Sequence, residues 1–336
     1  MTRDNHSWNG RRSMTLRDVA RSIGVSESTV SVVLNGTRSG TRVSATTRLS
    51  VIQAAEKLGY RPNAQARSLL TGRTNRIGIY SGRSRLTASG TFFADLLGGI
   101  FEGSGEVGMN TVVHTSGSEP DKLLDLVSDR AIDGLIIHAR ADDPIVPMLD
   151  ELKVPTVAVV DAIDFLPSVT ADDVSGGQMQ ARHLASRGHR HVLYKQTAAT
   201  AQSAITRMEA FVESASAHGI RVTVHEGLDN VSPLTDRDLQ VLTDGDNRAT
   251  ALVGWNDWQA WAACAVLRER GMSIPGEVAV IGFDGFEFRD FNITSIRAPW
   301  REVGGTAVSI LSRLLSGDAV PALTNLPVEF VRGETT

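Results

Sequence analysis

Between residues 77 and 283 short apolar runs alternate with amphipathic stretches, and this alternation narrows the possible folds more than any other feature of the chain. Runs at 77–80, 111–114, 134–138, 156–160, 191–194, 221–224, 251–254 and 278–283 read as strands. Between them, 93–106, 121–130, 176–187, 207–218 and 258–270 repeat apolar residues at helical spacing. Strand and helix in regular alternation call for parallel sheets with helices on both faces. Two such sheets fit better than one. After VIGFDG comes an irregular stretch at 286–300, then a helix over 302–315 and a final strand over 327–331. That is the course of a chain that leaves one lobe for the other and returns.

Residues 15–74 follow a different rule. Ala20, Gly24 and Val30 stand where a helix-turn-helix needs a small residue, a turn glycine able to take positive φ, and a buried contact. Ser26 can cap the second helix, which starts at Glu27, and Asn35 with Gly36 supplies its stop. A third helix opens at Ser44, carries Val51, Ile52, Ala55 and Leu58 at helical spacing, and ends at Gly59. Pro62 then starts a segment, 63–70, too short to form a stable helix in water by itself.

Charge is divided unevenly. Residues 1–76 hold thirteen Lys or Arg against four Asp or Glu, which leaves −13 on the remainder of a chain whose formal charge is −4. A basic head on an acidic body suits a protein that grips phosphates at one end. At 336 residues the chain can bury more than one core. No apolar run approaches a membrane span, and residues 1–13 are polar and aperiodic, so a disordered extension and a cytoplasmic location are expected. Cys264 lies among alanines in an apolar helical run and reads as a buried thiol. Gly103, Gly105 and Gly108 spell GxGxxG, but they close a helix and precede a strand, the reverse of a dinucleotide site. They read as helix-terminating glycines. His189 and His191 read as a surface turn between helix and strand, without a third metal ligand nearby. No GxSxG, P-loop or HExxH occurs, so no enzyme activity, metal or cofactor is expected.

The segments LRDVA, GVSESTVS, VLNG, VSATTR and GYRPNAQARSLLTGRT resemble the N-terminal region of the lactose-repressor (LacI/GalR) family of bacterial transcription regulators. With ALVGWND and EVAVIGFDG, the body is similar to the periplasmic-binding-protein-like effector domain of that family. The resemblance implies an all-α helix-turn-helix head with a hinge helix, joined to a two-lobed α/β body of two doubly wound parallel sheets. The expected divisions are 1–13, 14–61 for the DNA-binding domain, 62–75 for the hinge helix and linker, and 76–336 for effector binding and dimerisation. Within the last, one lobe takes about 76–165 and 294–321, the other about 166–293 and 322–336.

The resemblance also assigns roles. Glu27, Ser28 and Val32 match the positions that read bases. Thr15, Leu16, Ser26, Thr29, Ser31 and Asn35 match positions that hold the phosphate backbone. Val32 departs from the Arg or His of many relatives, so the operator half-site should depart from the commonest one. The loop at 37–42 is a second departure. Asn63, Ala66, Arg67 and Leu69 match the hinge helix, with Leu69 as the minor-groove wedge. Phe92, Phe93, Asp161, Arg207, Trp255, Asn256 and Asp284 fall at or near strand ends, where a cleft between lobes would hold a small molecule. Carboxylates, an amide, an arginine and aromatics together suit a sugar or sugar derivative. The implied function is a homodimeric, DNA-binding repressor of carbohydrate genes on a palindromic operator, under allosteric control by that effector. A sugar-binding receptor without a regulatory role is the alternative.

Overall fold

The computed structural model describes residues 14–35, 43–61, 68, 72–82, 91–113, 125, 127–197, 201–227 and 234–336. The chain divides into two compact units between Asn75 and Arg76. Residues 1–13, the 37–42 loop, Gly36, Pro62, Asn63, Ala66, Arg67 and Leu69 lie outside the described residues, as does half of the helix expected over 121–130.

The first unit packs three helices: α1 (Leu16–Ile23), α2 (Glu27–Asn35) and α3 (Ala45–Lys57). Thr15 caps α1 in a reciprocal box with Asp18. Gly24 ends α1 at φ 71°, which turns the chain so that α2 can cross back. Ser26 Oγ accepts the Thr29 amide at 3.1 Å and so caps α2, while Ser44 caps α3 through the Thr47 amide at 3.1 Å. Val19, Ala20, Val30, Val33, Val51 and Ala55 are buried together. Ile52 is not among them. It is 39% exposed, because one residue advances the helix by about 100° and carries it off the stripe that Val51 and Ala55 define.

The second unit holds two six-stranded sheets. One contains β1 (Arg76–Ser81), β2 (Asn110–Val113), β3 (Gly134–His138), β4 (Thr156–Val159), β5 (Ser168–Ala171) and β11 (Leu323–Leu326), in the order β11-β5-β4-β3-β1-β2. All its recorded pairings are parallel. The other contains β6 (His191–Gln196), β7 (Arg221–Glu226), β8 (Ala251–Gly254), β9 (Ala279–Asp284), β10 (Thr294–Arg297) and β12 (Glu329–Val331), in the order β12-β10-β9-β8-β6-β7. Only β12, on its edge, runs antiparallel. The helices are α4 (Thr91–Glu106), α5 (Val146–Leu152), α6 (Asp173–Ser186), α7 (Gln202–Ala217), α8 (Asp236–Thr243), α9 (Asp257–Glu269) and α10 (Trp300–Ser316).

Four of these elements carry no clear sequence signal: β5, β10, β11 and α8 are short and mix polar with apolar residues. Their placement moves the lobe boundaries. The chain passes between sheets after Ala171, Arg297 and Leu326, whereas the expected crossings were near 165, 293 and 321. The stretch expected to be irregular, 286–300, contains β10, which pairs directly with β9.

In the first lobe α4 and α10 lie against each other at backbone distance. A Cβ on Gly304 would sit 2.3 Å from the Leu96 carbonyl oxygen, and one on Gly103 would press on Val308 and Gly305. Gly103 is thus a packing residue inside α4, not a terminator; Gly108, at φ 68°, does follow the helix end. Gly304→Ala should cost about 1–3 kcal/mol by pushing the helices apart, read as a lower urea midpoint at unchanged slope.

Candidate functional sites

The head presents α2 by its first turn. Glu27 and Ser28 are exposed there, Thr29, Ser31 and Val32 are half-buried, and Asn35 is the last residue of the helix. Ser26 Oγ lies 2.7 Å from Ser28 Oγ and 2.8 Å from Thr29 Oγ1, so three hydroxyls cluster at the helix start. Leu16 packs against the head core, while Thr15 remains exposed beside its box partner Asp18. A contact that sequence reasoning missed joins the two helices: Arg17 Nε donates to Glu27 Oε1 at 2.8 Å.

In the larger unit the strands of both sheets end at a common set of ionisable groups. In the first lobe β4 ends in a tight turn: Val160 has φ 75°, and the Asp161 amide donates back to the Val159 carbonyl at 2.9 Å. This γ-turn about a β-branched residue is strained. It delivers the buried Asp161, whose Oδ1 accepts the Ser203 amide at 2.7 Å. Ser203 lies in the first turn of α7, in the other lobe. A carboxylate of one lobe therefore meets the positive end of a helix of the second.

The second lobe shows the same device. Asp284 ends β9 at φ 125°, again strained, and its Oδ1 accepts from Trp300 Nε1 at 3.2 Å, at the start of α10 in the first lobe. Burial, with repulsion from Asp257, raises the Asp284 carboxyl well above its ordinary range despite Arg207. Asp257 accepts the Gly285 and Phe286 amides at 2.7 Å each and Ser295 Oγ at 2.6 Å, yet burial still pushes it up to about 6.

Arg207, on α7, is fully engaged. Its Nε and one terminal nitrogen donate to Asp173 Oδ1 at 3.0 and 2.7 Å, and the other donates to the Trp255 carbonyl at 2.5 Å. Its guanidinium carbon lies 3.2 Å from the Phe283 ring centre. Burial raises Asp173 to about 6 against the pull of Arg207. Asn256 caps α9 through the Gln259 amide at 2.8 Å, and Trp255 is half-buried against the second-lobe core.

The two candidate phenylalanines separate. Phe93 is 9% exposed and belongs to the first-lobe core, whereas Phe92 is half-buried, edge-on to Trp300 at 4.8 Å and to His138 at 5.7 Å. Burial lowers the His138 imidazole below its ordinary value, opposed by Asp161, and among the described residues its Nδ1 finds no partner. Asp173, His138 and Trp300 carry no clear signal in the sequence, whereas Asp257 directly follows the apolar run ALVGW and Asn256. Asp173 follows β5, which has no apolar run of its own, and Trp300 opens a helix that the sequence pattern starts at 302. The decoys are structural. His189 bonds Thr250, His191 opens β6 where the run at 191–194 predicts a strand and bonds Thr223, and burial pushes the Cys264 thiol up to about 12.

Comparison with known proteins bears on both sites. Residues 15–63 match the family described as bacterial regulatory proteins, lacI family, and residues 181–336 match the periplasmic binding protein-like domain. The chain belongs to the LacI family. Catabolite control protein A of Priestia megaterium is 27% identical over 336 residues, covering 95% of this chain and 98% of that protein. The HTH-type transcriptional regulator CelR of Thermobifida fusca is 29% identical over 342 residues, covering 96% of each. Among solved structures, the Lac repressor dimer bound to operator and the anti-inducer ONPF superposes with a TM-score of 0.80 at 26% identity, covering 96% of this chain and 99% of that one. The complex of CelR with cellobiose gives 0.70 at 26% identity, covering 96% and 100%. This LacI-family chain is a DNA-binding transcription regulator, and its curated relatives are named as regulators rather than enzymes. Among the described residues no helix is long and apolar enough to cross a membrane.

Proposed function

We propose that this regulator binds a palindromic operator as a homodimer in the cytoplasm and represses transcription under control of an uncharged, hydroxyl-rich effector held between the lobes. The observation that carries the DNA half is the exposed, capped first turn of α2 on a head with eight surplus positive charges over residues 1–75. Two-fold related heads read two half-sites, with Glu27, Ser28 and Val32 at base edges and Thr15, Leu16, Ser26, Thr29, Ser31 and Asn35 at phosphates. In the hinge, Asn63, Ala66, Arg67 and Leu69 enter the minor groove.

The effector class follows from charge. Asp173, Asp257 and Asp284 share a single guanidinium that Asp173 and the Trp255 carbonyl already occupy, and Asp161 adds a further carboxyl acting on Asp173. A phosphate placed about 4 Å from a carboxylate meets a repulsion of about 4 kcal/mol at an effective dielectric of 20. Sugar hydroxyls instead donate to carboxylates, and Phe92, Trp255 and Trp300 offer ring surface to the apolar face of a sugar. His138 Nδ1 and Asn256 add polar contacts.

Control is by linkage. The bonds Asp161–Ser203 and Trp300–Asp284 join the lobes at the effector cluster, so an effector that competes with or reinforces them changes lobe closure and thereby operator affinity. In a thermal-shift series, unphosphorylated sugars should raise the melting temperature with concentration while their phosphates leave it unchanged. Stabilisation by a sugar phosphate alone would overturn the effector class. For the DNA half, selection from random duplexes at moderate salt should return a palindrome, and a selection without any consensus would overturn it.

A further inference from the structure

The ion pair that ties α1 to α2 does little for the stability of the head. Arg17 and Glu27 are 70% and 51% exposed, and a solvated pair contributes little to folding. Its place is informative. Glu27 stands in the first turn of α2, the end that a helix-turn-helix presents to base edges, while Arg17 stands on the helix that crosses the phosphate backbone.

A lone glutamate there faces two obstacles. Its charge is repelled by the neighbouring phosphates, and its long side chain must give up rotamer freedom to meet one base. The bond from Arg17 Nε addresses both. It supplies a positive charge at 2.8 Å and fixes Oε1 in place. Of the Arg17 guanidinium nitrogens only Nε meets an acceptor among the described residues, which leaves the two terminal nitrogens for phosphate oxygens. Lysine could not divide its donors this way, since it lacks the rigid fork.

We propose that Arg17 is a positioning residue for sequence readout: its Nε holds Glu27 so that the carboxylate accepts from the N4 amino group of one cytosine per half-site, while its terminal nitrogens clamp the adjacent phosphate. This rests on the operator-binding reading above. Cytosine is the base whose major-groove edge offers a donor to a carboxylate without an acceptor beside it.

The test compares the full-length chain with Arg17→Ala, Arg17→Lys, Glu27→Gln and Arg17→Ala/Glu27→Gln by selection from random duplexes, followed by titration of the recovered site over a salt series. The unsubstituted chain should show one column per half-site where cytosine is preferred by about tenfold. Glu27→Gln should move that column toward adenine, which glutamine reads bidentately. Arg17→Ala should relax the same column, leave the others intact and reduce the salt slope by about one per head. Arg17→Lys should relax the column with the salt slope retained, and the double variant should lose no more selectivity at that column than either single one. A cytosine column that persists in both Arg17 variants overturns the proposal, as does a consensus indifferent to Glu27→Gln. A selection in which the unsubstituted chain yields no palindrome overturns the operator reading instead. Unchanged thermal melting of the variants establishes that the head is folded, and if Arg17→Ala melts early the Arg17→Lys arm decides.

Discussion

Arg207→Met is expected to lower the unfolding free energy of the effector unit by about 3–5 kcal/mol, because it strands a buried carboxylate. Asp173 is 6% exposed and receives two of the three Arg207 donors, while the third satisfies the Trp255 carbonyl. Methionine can refill the space over the Phe283 ring but returns none of these bonds. The pH dependence gives the mechanism away. Asp173, already raised to about 6, moves higher without its guanidinium, so the folded variant favours the protonated acid more strongly. Stability held by a raised carboxyl is fully present below its unfolded value of about 3.9 and is lost as pH rises through the folded value. The deficit against the unsubstituted chain should therefore be small at pH 4 and full at pH 8. Adding Asp173→Asn should restore much of the loss at pH 8 without restoring effector binding, since the arginine is still absent. Denaturation curves that coincide for Arg207→Met and the unsubstituted chain would show that the pair is not the anchor described.

How much of this was legible in sequence depends on how local each cause is. The head was readable almost to the residue, because caps and turns act within four positions: Thr15 with Asp18, Ser26 with Thr29 and Gly24 in the left-handed region. The long apolar strands were readable for a similar reason, since a strand buried on both faces must be apolar along its length. Strands β5 and β11 failed that test. They pair with each other across the sheet edge, Thr170 bonding Asn325, and neither reads as a strand without its partner. The cleft was half legible. Position after a strand found Asp161 and Asp284, but the dependence of Arg207 on Asp173 spans 34 residues and has no local signature. The strain at Val160 and Asp284 is invisible in composition, because valine and aspartate are ordinary residues held in backbone conformations they rarely adopt.

A second large effect is expected away from the cleft lining, at Asp238→Ala. Lys195, near the end of β6, and His225, near the end of β7, are 1% and 7% exposed, and both bond to Asp238 in α8, at 2.5 and 2.7 Å. Removing the carboxylate leaves an ammonium buried without a counter-charge and breaks the box that caps α8 with Thr235, so the cost should be about 3–5 kcal/mol. Lys195→Met added to Asp238→Ala should recover most of it, because the uncompensated charge then disappears. Burial pushes the Asp238 carboxyl up, but bonds from Lys195, Thr235 and His225 outweigh it and hold the group below its ordinary value. Stability from a lowered carboxyl is present above the unfolded value of about 3.9 and is lost as pH falls through the folded one. Denaturant midpoints measured downward from pH 5 should thus fall more steeply for the unsubstituted chain than for Asp238→Ala. The consequence reaches the effector cluster through the backbone, since the Lys195 carbonyl accepts the Trp255 amide at 3.1 Å and Trp255 in turn receives Arg207. Asp238→Ala should therefore weaken effector binding even under conditions where the chain remains folded, whereas a variant that kept full affinity would confine the triad to holding α8 on the sheet.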